Sequence, residues 1–282
     1  MNTRHIMTLY YQPTDEAKKI YDGFKEQFGD NMLFVNCGSI DRSDDWVKKN
    51  VVFETDYKDN ISKLNPHWCE LTSYYLVWKN MLDNWSDDDY VQHSHYRKWL
   101  EIGQDADPNT DIWTAYDYPM EINIEGKRVI TNVENGFRIC HPASSWDVME
   151  YVVHRHLTFH EVDWWREWKS QNNMVAPLNL FRMRLPMFRE WCEWLFPLAF
   201  EIEKRIPYDH PDYQTAYQRR AMAFISERLF SFWCWVNWRR GKNLVEQHVR
   251  IEKDFKPWSD DIERKTKIED IPHFNETTGG KK

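Results

Sequence analysis

The first forty residues constrain the fold more than any other part of the chain. ‘HIMTLYY’ is a short apolar run of strand type, ‘QPTDEAKKIYDGFKEQFGD’ follows with helical spacing, and ‘NMLFVNC’ is a second apolar run. In the middle segment Thr14 is placed to cap a helix, with Asp15 and Glu16 at the positive end of its dipole. Ala17, Ile20, Tyr21, Phe24 and Phe28 recur every three or four residues, and Gly29 is placed to end the helix. A strand, a helix and a strand at this spacing predict parallel strands joined by a crossover, so the expected class is α/β.

Farther on, ‘DYKDNISKLNPHWCELTSYYLVWKNMLDNW’ predicts a helix that starts at Asn65-Pro66, an N-cap followed by proline. Leu71, Tyr74, Tyr75, Trp78, Leu82 and Trp85 form its apolar stripe, and Thr72 and Lys79 share another face. ‘DDDYVQHS’ reads as a loop entering a short strand, with ‘HYRKWL’ just beyond that strand's carboxyl end. Residues 105–145 read as β-rich, and ‘EINIEGKRVIT’ as a hairpin turning at Glu125-Gly126. ‘SSWDVMEYVVHRHLTFHEVDWWREWKS’ predicts a broken helix.

Two long helices follow. The first carries Phe188, Trp191, Leu195, Leu198 and Ile202 on one stripe, with a kink expected at Pro197. The second carries Ala221, Ile225, Leu229, Phe232 and Val236 and stops at Gly241. With no repeat and no linker in view, residues 1–252 are expected to form one domain with a mainly helical C-terminal part. Residues 253–282 are expected to be a polar, partly disordered tail.

The five cysteines are scattered without CxxC spacing, which argues against a zinc ribbon or a disulfide framework and fits a cytoplasmic setting. Neither a signal-peptide core nor an apolar run of membrane-spanning length is present. A net charge of -8 without a basic run lowers the expectation of nucleic acid, although a local basic cleft fits within it. Sixteen tryptophans serve either core packing or stacking on sugars and bases.

Chemistry concentrates in ‘DDDYVQHSHYRKWL’. His93 and His95 alternate on a strand, so both side chains face one way and can reach one metal, but a third ligand must come from elsewhere. Asp87 and Asp89 match a DxD pattern that suits a divalent cation, Mg or Mn. They precede the strand, however, whereas ligands of open α/β sheets gather at carboxyl ends, so a solvated loop is the expectation for these acids. His95, Arg97 and Lys98 do sit at a carboxyl end, and the pattern allows either a diphosphate clamp or a charged cap. Arg220 and Glu227 share a helix face two turns apart. Glu227, among apolar neighbours, is therefore either paired structurally through tertiary contacts or kept as a functional carboxylate.

Four blocks in order, ‘DNISKLNPHWCELTSYYLVWKN’, ‘YVQHSHYRKWL’, ‘APLNLFRMRLPMFREWCEWLFPLAFEIEKRI’ and ‘YQRRAMAFISERL’, resemble the domain-of-unknown-function 4422 family from about residue 57 to 230. That family is glycosyltransferase-like, and the resemblance implies a GT-A type, Rossmann-like nucleotide-sugar-binding sheet. It implies Asp59, Asn60, Lys79, His95, Arg97 and Arg228 on the donor diphosphate side. Glu70, Thr72, Asn80, Asn179 and Arg220 would lie near the acceptor or behind these groups, and Glu227 and Asp111 are the candidates for the base. Departures from the family pattern are Lys98 for a second arginine, ‘NLF’ for an NMF turn, and Ala223 for a glycine.

The implied activity is sugar transfer from a nucleotide-diphosphate donor, UDP-linked, to a hydroxyl of a glycan or another polymer. Fixed cations would neutralise the leaving diphosphate in place of a metal. Two other readings are a phage-type transferase acting on a hydroxymethylated DNA base and a non-catalytic sugar-nucleotide or carbohydrate binder.

Overall fold

The structure is a computed structural model, and it describes residues 2–102, 106–115, 118–124, 127–171, 174–247 and 249–251. It opens with β1 (Thr3–Tyr11), α1 (Asp15–Phe28) and β2 (Met32–Ser39), the order that the opening spacing predicts. The Thr14 hydroxyl accepts the Ala17 N–H, and Gly29 closes the helix at a φ of 56° that favours glycine. Next come α2 (Asp45–Asn50) and β3 (Val51–Phe53), then the short α3 (Asn65–Trp68) and α4 (Leu71–Asn80). A single helix was expected over this last stretch. Instead the chain turns at Cys69, whose φ is 49°, and the break delivers Glu70 to the interior.

β4 (Tyr90–His95) and β5 (Lys98–Leu100) then form a hairpin in which His95 pairs with Lys98. Tyr96 and Arg97 are therefore the two-residue tip of a turn, and Lys98 belongs to a strand. β6 (Ile112–Ala115), the hairpin of β7 (Tyr118–Ile124) and β8 (Lys127–Thr131), and the helices α5 (Val133–Cys140), α6 (Ala143–His156) and α7 (Phe159–Gln171) follow. The hairpin register pairs Ile124 with Lys127 across the expected turn, whose two residues lie outside the described ones. β9 (Met174–Val175), β10 (Phe181–Arg184), α8 (Leu185–Glu203), α9 (Ala221–Arg239), β11 (Leu244–Gln247) and β12 (Val249–Ile251) complete the described chain. The helix α8 continues through Pro197 as one element, and Gly241 follows α9 at a φ of 85°. The expected tail, residues 253–282, lies outside the described residues.

The architecture is mixed α/β with a helical C-terminal region. Contacts divide it into two compact units. Unit 1 holds the described residues of Met1–Tyr116, Leu178–Glu193 and Lys242–Glu263, and unit 2 those of Asp117–Pro177, Trp194–Gly241 and Arg264–Lys282. Because the backbone passes between them repeatedly, no single stretch reads as a linker.

Unit 1 is built on a sheet of order β11-β6-β10-β4-β1-β2-β3, in which β10 alone runs antiparallel to its two neighbours. One face of the β1-β2-β3 side packs Met7, Leu9 and Phe34 against Ala17 and Tyr21 of α1. On the other face Tyr74 of α4 meets His93 and Phe181. Unit 2 packs α6, α7 and α9 through Trp146, Trp165, Trp168 and Phe232, with Trp165 edge-on to Phe232 at 5.0 Å. With Trp68, Trp113 and Trp191 also buried, these indoles serve the cores. No helix among the described residues is long and apolar enough to cross a membrane.

Candidate functional site

From β1 the chain steps outward through β2 to β3, then returns to lay β4 on the opposite side of β1. In an open α/β sheet the carboxyl ends of two such strands border a ready-made crevice. Here those ends carry Tyr10 and Tyr11 on β1, and His95 with the Tyr96-Arg97 turn on β4. Three tyrosines fix that turn. Tyr21 donates its hydroxyl to the Tyr96 carbonyl at 2.9 Å, and Tyr10 and Tyr11 pack edge-on against the Tyr96 ring at 5.6 and 5.8 Å. Neighbouring Gly38 is required, since a Cβ there would overlap the Tyr10 backbone where β1 and β2 slip register.

Glu70, only 2% exposed, is the hub of the crevice wall. One carboxylate oxygen accepts the Asn179 side-chain amide at 2.7 Å, and the other accepts the Tyr10 hydroxyl at 2.7 Å. The His95 Nε2 lies 3.8 Å from the first of these oxygens and 2.9 Å from the Leu178 carbonyl, which places the proton on Nε2. The structure therefore gathers Glu70, His95 and Asn179 of the expected residues, and adds Tyr10, which no motif pointed to. Among the described residues, all three non-glycine residues with positive φ border this cluster: Cys69 precedes Glu70, and Leu178 and Asn179 (φ of 67° and 50°) form the ‘NLF’ turn. Such backbone costs about 1–3 kcal/mol per residue and persists where the surroundings hold it.

His93 serves a different purpose from His95. Its Nδ1 lies 2.7 Å from the Tyr74 hydroxyl and 3.0 Å from the Asn179 carbonyl, and its Nε2 3.3 Å from the Thr8 hydroxyl. Burial, helped by His95, pushes its pKa down to about 3, so the ring is neutral and both nitrogens are engaged. The two-histidine metal reading fails on that geometry.

A second buried carboxylate, Glu54, lies at the end of β3. It accepts the Cys37 thiol at 3.5 Å and the Asn65 amide at 3.3 Å, while Thr72 bonds to Asn65 and, at 3.0 Å, to the Cys69 carbonyl. Desolvation raises the Glu54 pKa to about 7 against the opposing hydrogen bonds. Nothing in ‘VVFETDY’ marks this acid as buried.

The remaining expected residues are placed elsewhere. Asn80 donates to the Asp59 and Leu76 carbonyls, each at 2.8 Å, and Asn60 closes its own turn on Tyr57 and Ser62, so both amides brace backbone. The Lys79 ammonium sits 3.4 Å from the Trp78 ring centroid. Asp111, a candidate base, lies before β6 at the sheet end opposite His95. There it holds Arg184 at 3.3 Å and the Asn243 N–H at 3.0 Å. The register pairs Arg184 with Tyr90, so about five strand residues, roughly 15 Å, separate that end from His95. Asp111 is an ion-paired strand anchor, and the expectation that it acts at the crevice is set aside.

Asp87 and Asp89 lie at the same far end. Asp89 was expected in a solvated loop, yet it is 1% exposed and bonded to the Asn2 N–H and Arg4. Burial pushes its carboxyl up, but these bonds outweigh it and hold the pKa below the usual range. Asp87 is exposed and faces Arg189 at 3.6 Å. The DxD cation reading has no geometric support, and among the described residues no group of three or more His, Cys, Asp or Glu is placed around a metal.

Arg220, Glu227 and Arg228 belong to unit 2. Glu227 pairs at 2.8 Å with its neighbour Arg228, whose guanidinium also bonds the Phe224 carbonyl and lies over Phe137. Arg220 lies 5.5 Å from the Phe224 ring. Beside them His141 stacks on Phe224 at 4.0 Å, and burial, then Arg228, holds its pKa well below the ordinary histidine value.

The polar cluster of this α/β sheet lies at the carboxyl ends of β1 and β4, the side on which open α/β sheets in general bind ligands. Residues 32–238 match the model of the domain of unknown function DUF4422, and the chain belongs to that family. Its fold is similar to the apo structure of the WbbM bifunctional glycosyltransferase, with a TM-score of 0.67 and 18% sequence identity over 92% of this chain. The chain spans about half of that protein, 48% of its length. No curated protein matches it. The fold is thus glycosyltransferase-like.

Proposed function

We propose that the protein transfers a sugar from a nucleotide-diphosphate donor, UDP-linked, to an acceptor hydroxyl of a glycan, and that the donor diphosphate sits at the β1–β4 crevice. The observation that carries this reading is the Arg97 turn at the carboxyl end of β4, braced by Tyr10, Tyr11 and Tyr21 beside the Glu70–Asn179–His95 cluster. In the transfer the acceptor oxygen bonds to the anomeric carbon and its proton passes to water. The bond from that carbon to the diphosphate oxygen breaks, and its electron pair leaves with the diphosphate. A guanidinium fixed before the reaction stabilises this growing charge without reorganisation, and Arg97 is assigned that role. His95 and Glu70 act behind it: Glu70 orients the imidazole and the Asn179 turn against one another.

The test is binding and turnover of UDP and UDP-sugars, with a divalent cation and with chelator. A donor at a hundred times its Kd adds about 2.7 kcal/mol of stability. A selective rise in melting temperature that is absent from Arg97→Ala, with the fold retained, is the expected result. Equal response of the variant and the native protein would defeat the diphosphate assignment, and no response to any nucleotide diphosphate would defeat the donor class.

A further inference from the structure

On the sheet face opposite His93 and His95, unit 1 contains a cavity of about 500 Å³ beside α1. That volume falls in the usual range of small-ligand sites. Its floor is one row of registered residues, His5 on β1, Gln92 on β4 and Arg182 on β10, with Ser94 one pleat farther along β4. Gln92 and Ser94 are 7% and 5% exposed, and both line the cavity. An amide and a hydroxyl on the wall of such a cavity are polar groups that a ligand can engage.

Arg182 has no ion pair or hydrogen bond among the described residues. Its guanidinium rests on the Tyr90 and Trp113 rings at 4.6 and 4.8 Å, and its Nε is buried without an acceptor. Glu101 also lines the cavity, but among the described residues no carboxylate pairs with this half-buried cation, and an anion on the guanidinium would compensate it. His5 adds no second charge: burial, then Arg182, lowers its pKa to about 4, and its ring stacks on Phe28 at 3.8 Å. Phe24 and Trp99, edge-to-face at 5.2 Å, supply flat apolar wall.

We propose that this cavity binds a small planar organic monoanion, with its acidic group on Arg182 and Gln92 and its ring against the Phe24, Phe28 and Trp99 walls. The site is distinct from the β1–β4 crevice and does not depend on the donor reading.

The test uses two fluorescent probes on the full chain: 8-anilinonaphthalene-1-sulfonate, and N-phenyl-1-naphthylamine, which lacks the sulfonate. The expected result is saturable one-to-one binding of the sulfonate. Arg182→Gln should weaken it at least about tenfold, as loss of a charge-assisted hydrogen bond implies, and leave the neutral probe little changed. Ser94→Leu, which fills the cavity and keeps the cation, should abolish binding of both. If Arg182→Gln does not fold, Ser94→Leu decides alone. Unchanged sulfonate affinity in either folded variant, or displacement of the probe by UDP, overturns the proposal.

Discussion

Glu54 gives the sharpest physical prediction. Its carboxyl is buried beside Cys37 and Asn65, and its pKa is raised from the ordinary 4.5 to about 7. The folded state therefore holds a proton that the unfolded state has already released. The protein keeps its full stability below about pH 4.5 with respect to this group. It loses stability as pH climbs to about 7, and the loss is complete above that. At 1.36 kcal/mol per pKa unit, the penalty is about 3 kcal/mol under alkaline conditions.

Glu54→Gln removes the ionisation and keeps the shape, with the amide oxygen facing Asn65 and the amide nitrogen facing Cys37. Buried His93 and His5 work in the opposite sense, because their pKa values of about 3 and about 4 cost stability as pH falls below about 6.5. The informative quantity is thus the difference in melting temperature between variant and native protein, in which the histidines cancel. That difference should be near zero at pH 4.5 and reach a plateau above pH 7. At about 2–4 °C per kcal/mol, the plateau should be several degrees in favour of the variant. A difference that is flat with pH, or that falls as pH rises, would refute a raised Glu54 pKa.

Three further outcomes follow from the same geometry. Arg97→Ala should lower sugar transfer by about 10²–10³, the usual loss for one charge-stabilising group, with an unchanged far-ultraviolet spectrum and melting curve. Glu70→Ala leaves the Tyr10 hydroxyl and the Asn179 amide without their acceptor and should cost about 2–4 kcal/mol, read as a lowered melting temperature, whereas Glu70→Gln should recover part of it. Asp111→Asn should cost about 1 kcal/mol through its pair with Arg184 and leave transfer intact; a loss of transfer without a loss of stability would return Asp111 to the chemistry.

Features set by local rules were legible in the sequence. The Thr14 cap, the Gly29 and Gly241 stops and the β7–β8 hairpin each depend on residues a few positions apart, and each lies where the pattern puts it. The two metal readings, His93 with His95 and Asp87 with Asp89, rest on short patterns, and short patterns do not encode partners. Asp89 looked like a loop acid because its partners, Asn2 and Arg4, are more than eighty residues away. Glu54 was missed for the same reason, its surroundings coming from β2 and α3. The crevice was half legible: His95 and Arg97 announce themselves, and Asn179 tolerates positive φ by its nature. Leu178 has no such tolerance, and Tyr10 enters only because β1 ends beside β4.

The antiparallel strand β10 has a consequence for how the molecule is made. β4 and β6 both leave the ribosome before β10, yet neither touches the other in the finished sheet. Between them lies a lane filled only after β7, β8, α5, α6, α7 and β9 have been synthesised. Until then the parallel set β3-β2-β1-β4 can assemble, but β4 presents a row of unpaired N–H and C=O groups to any passing strand. The chain thus carries a sticky edge for the synthesis time of about 85 residues, roughly 4–17 s at ordinary translation rates. A fragment ending near Ala115 should therefore aggregate, and one extended through Arg184 should show the first sign of a closed sheet, since β10 acts as the keystone that turns two groups of strands into one.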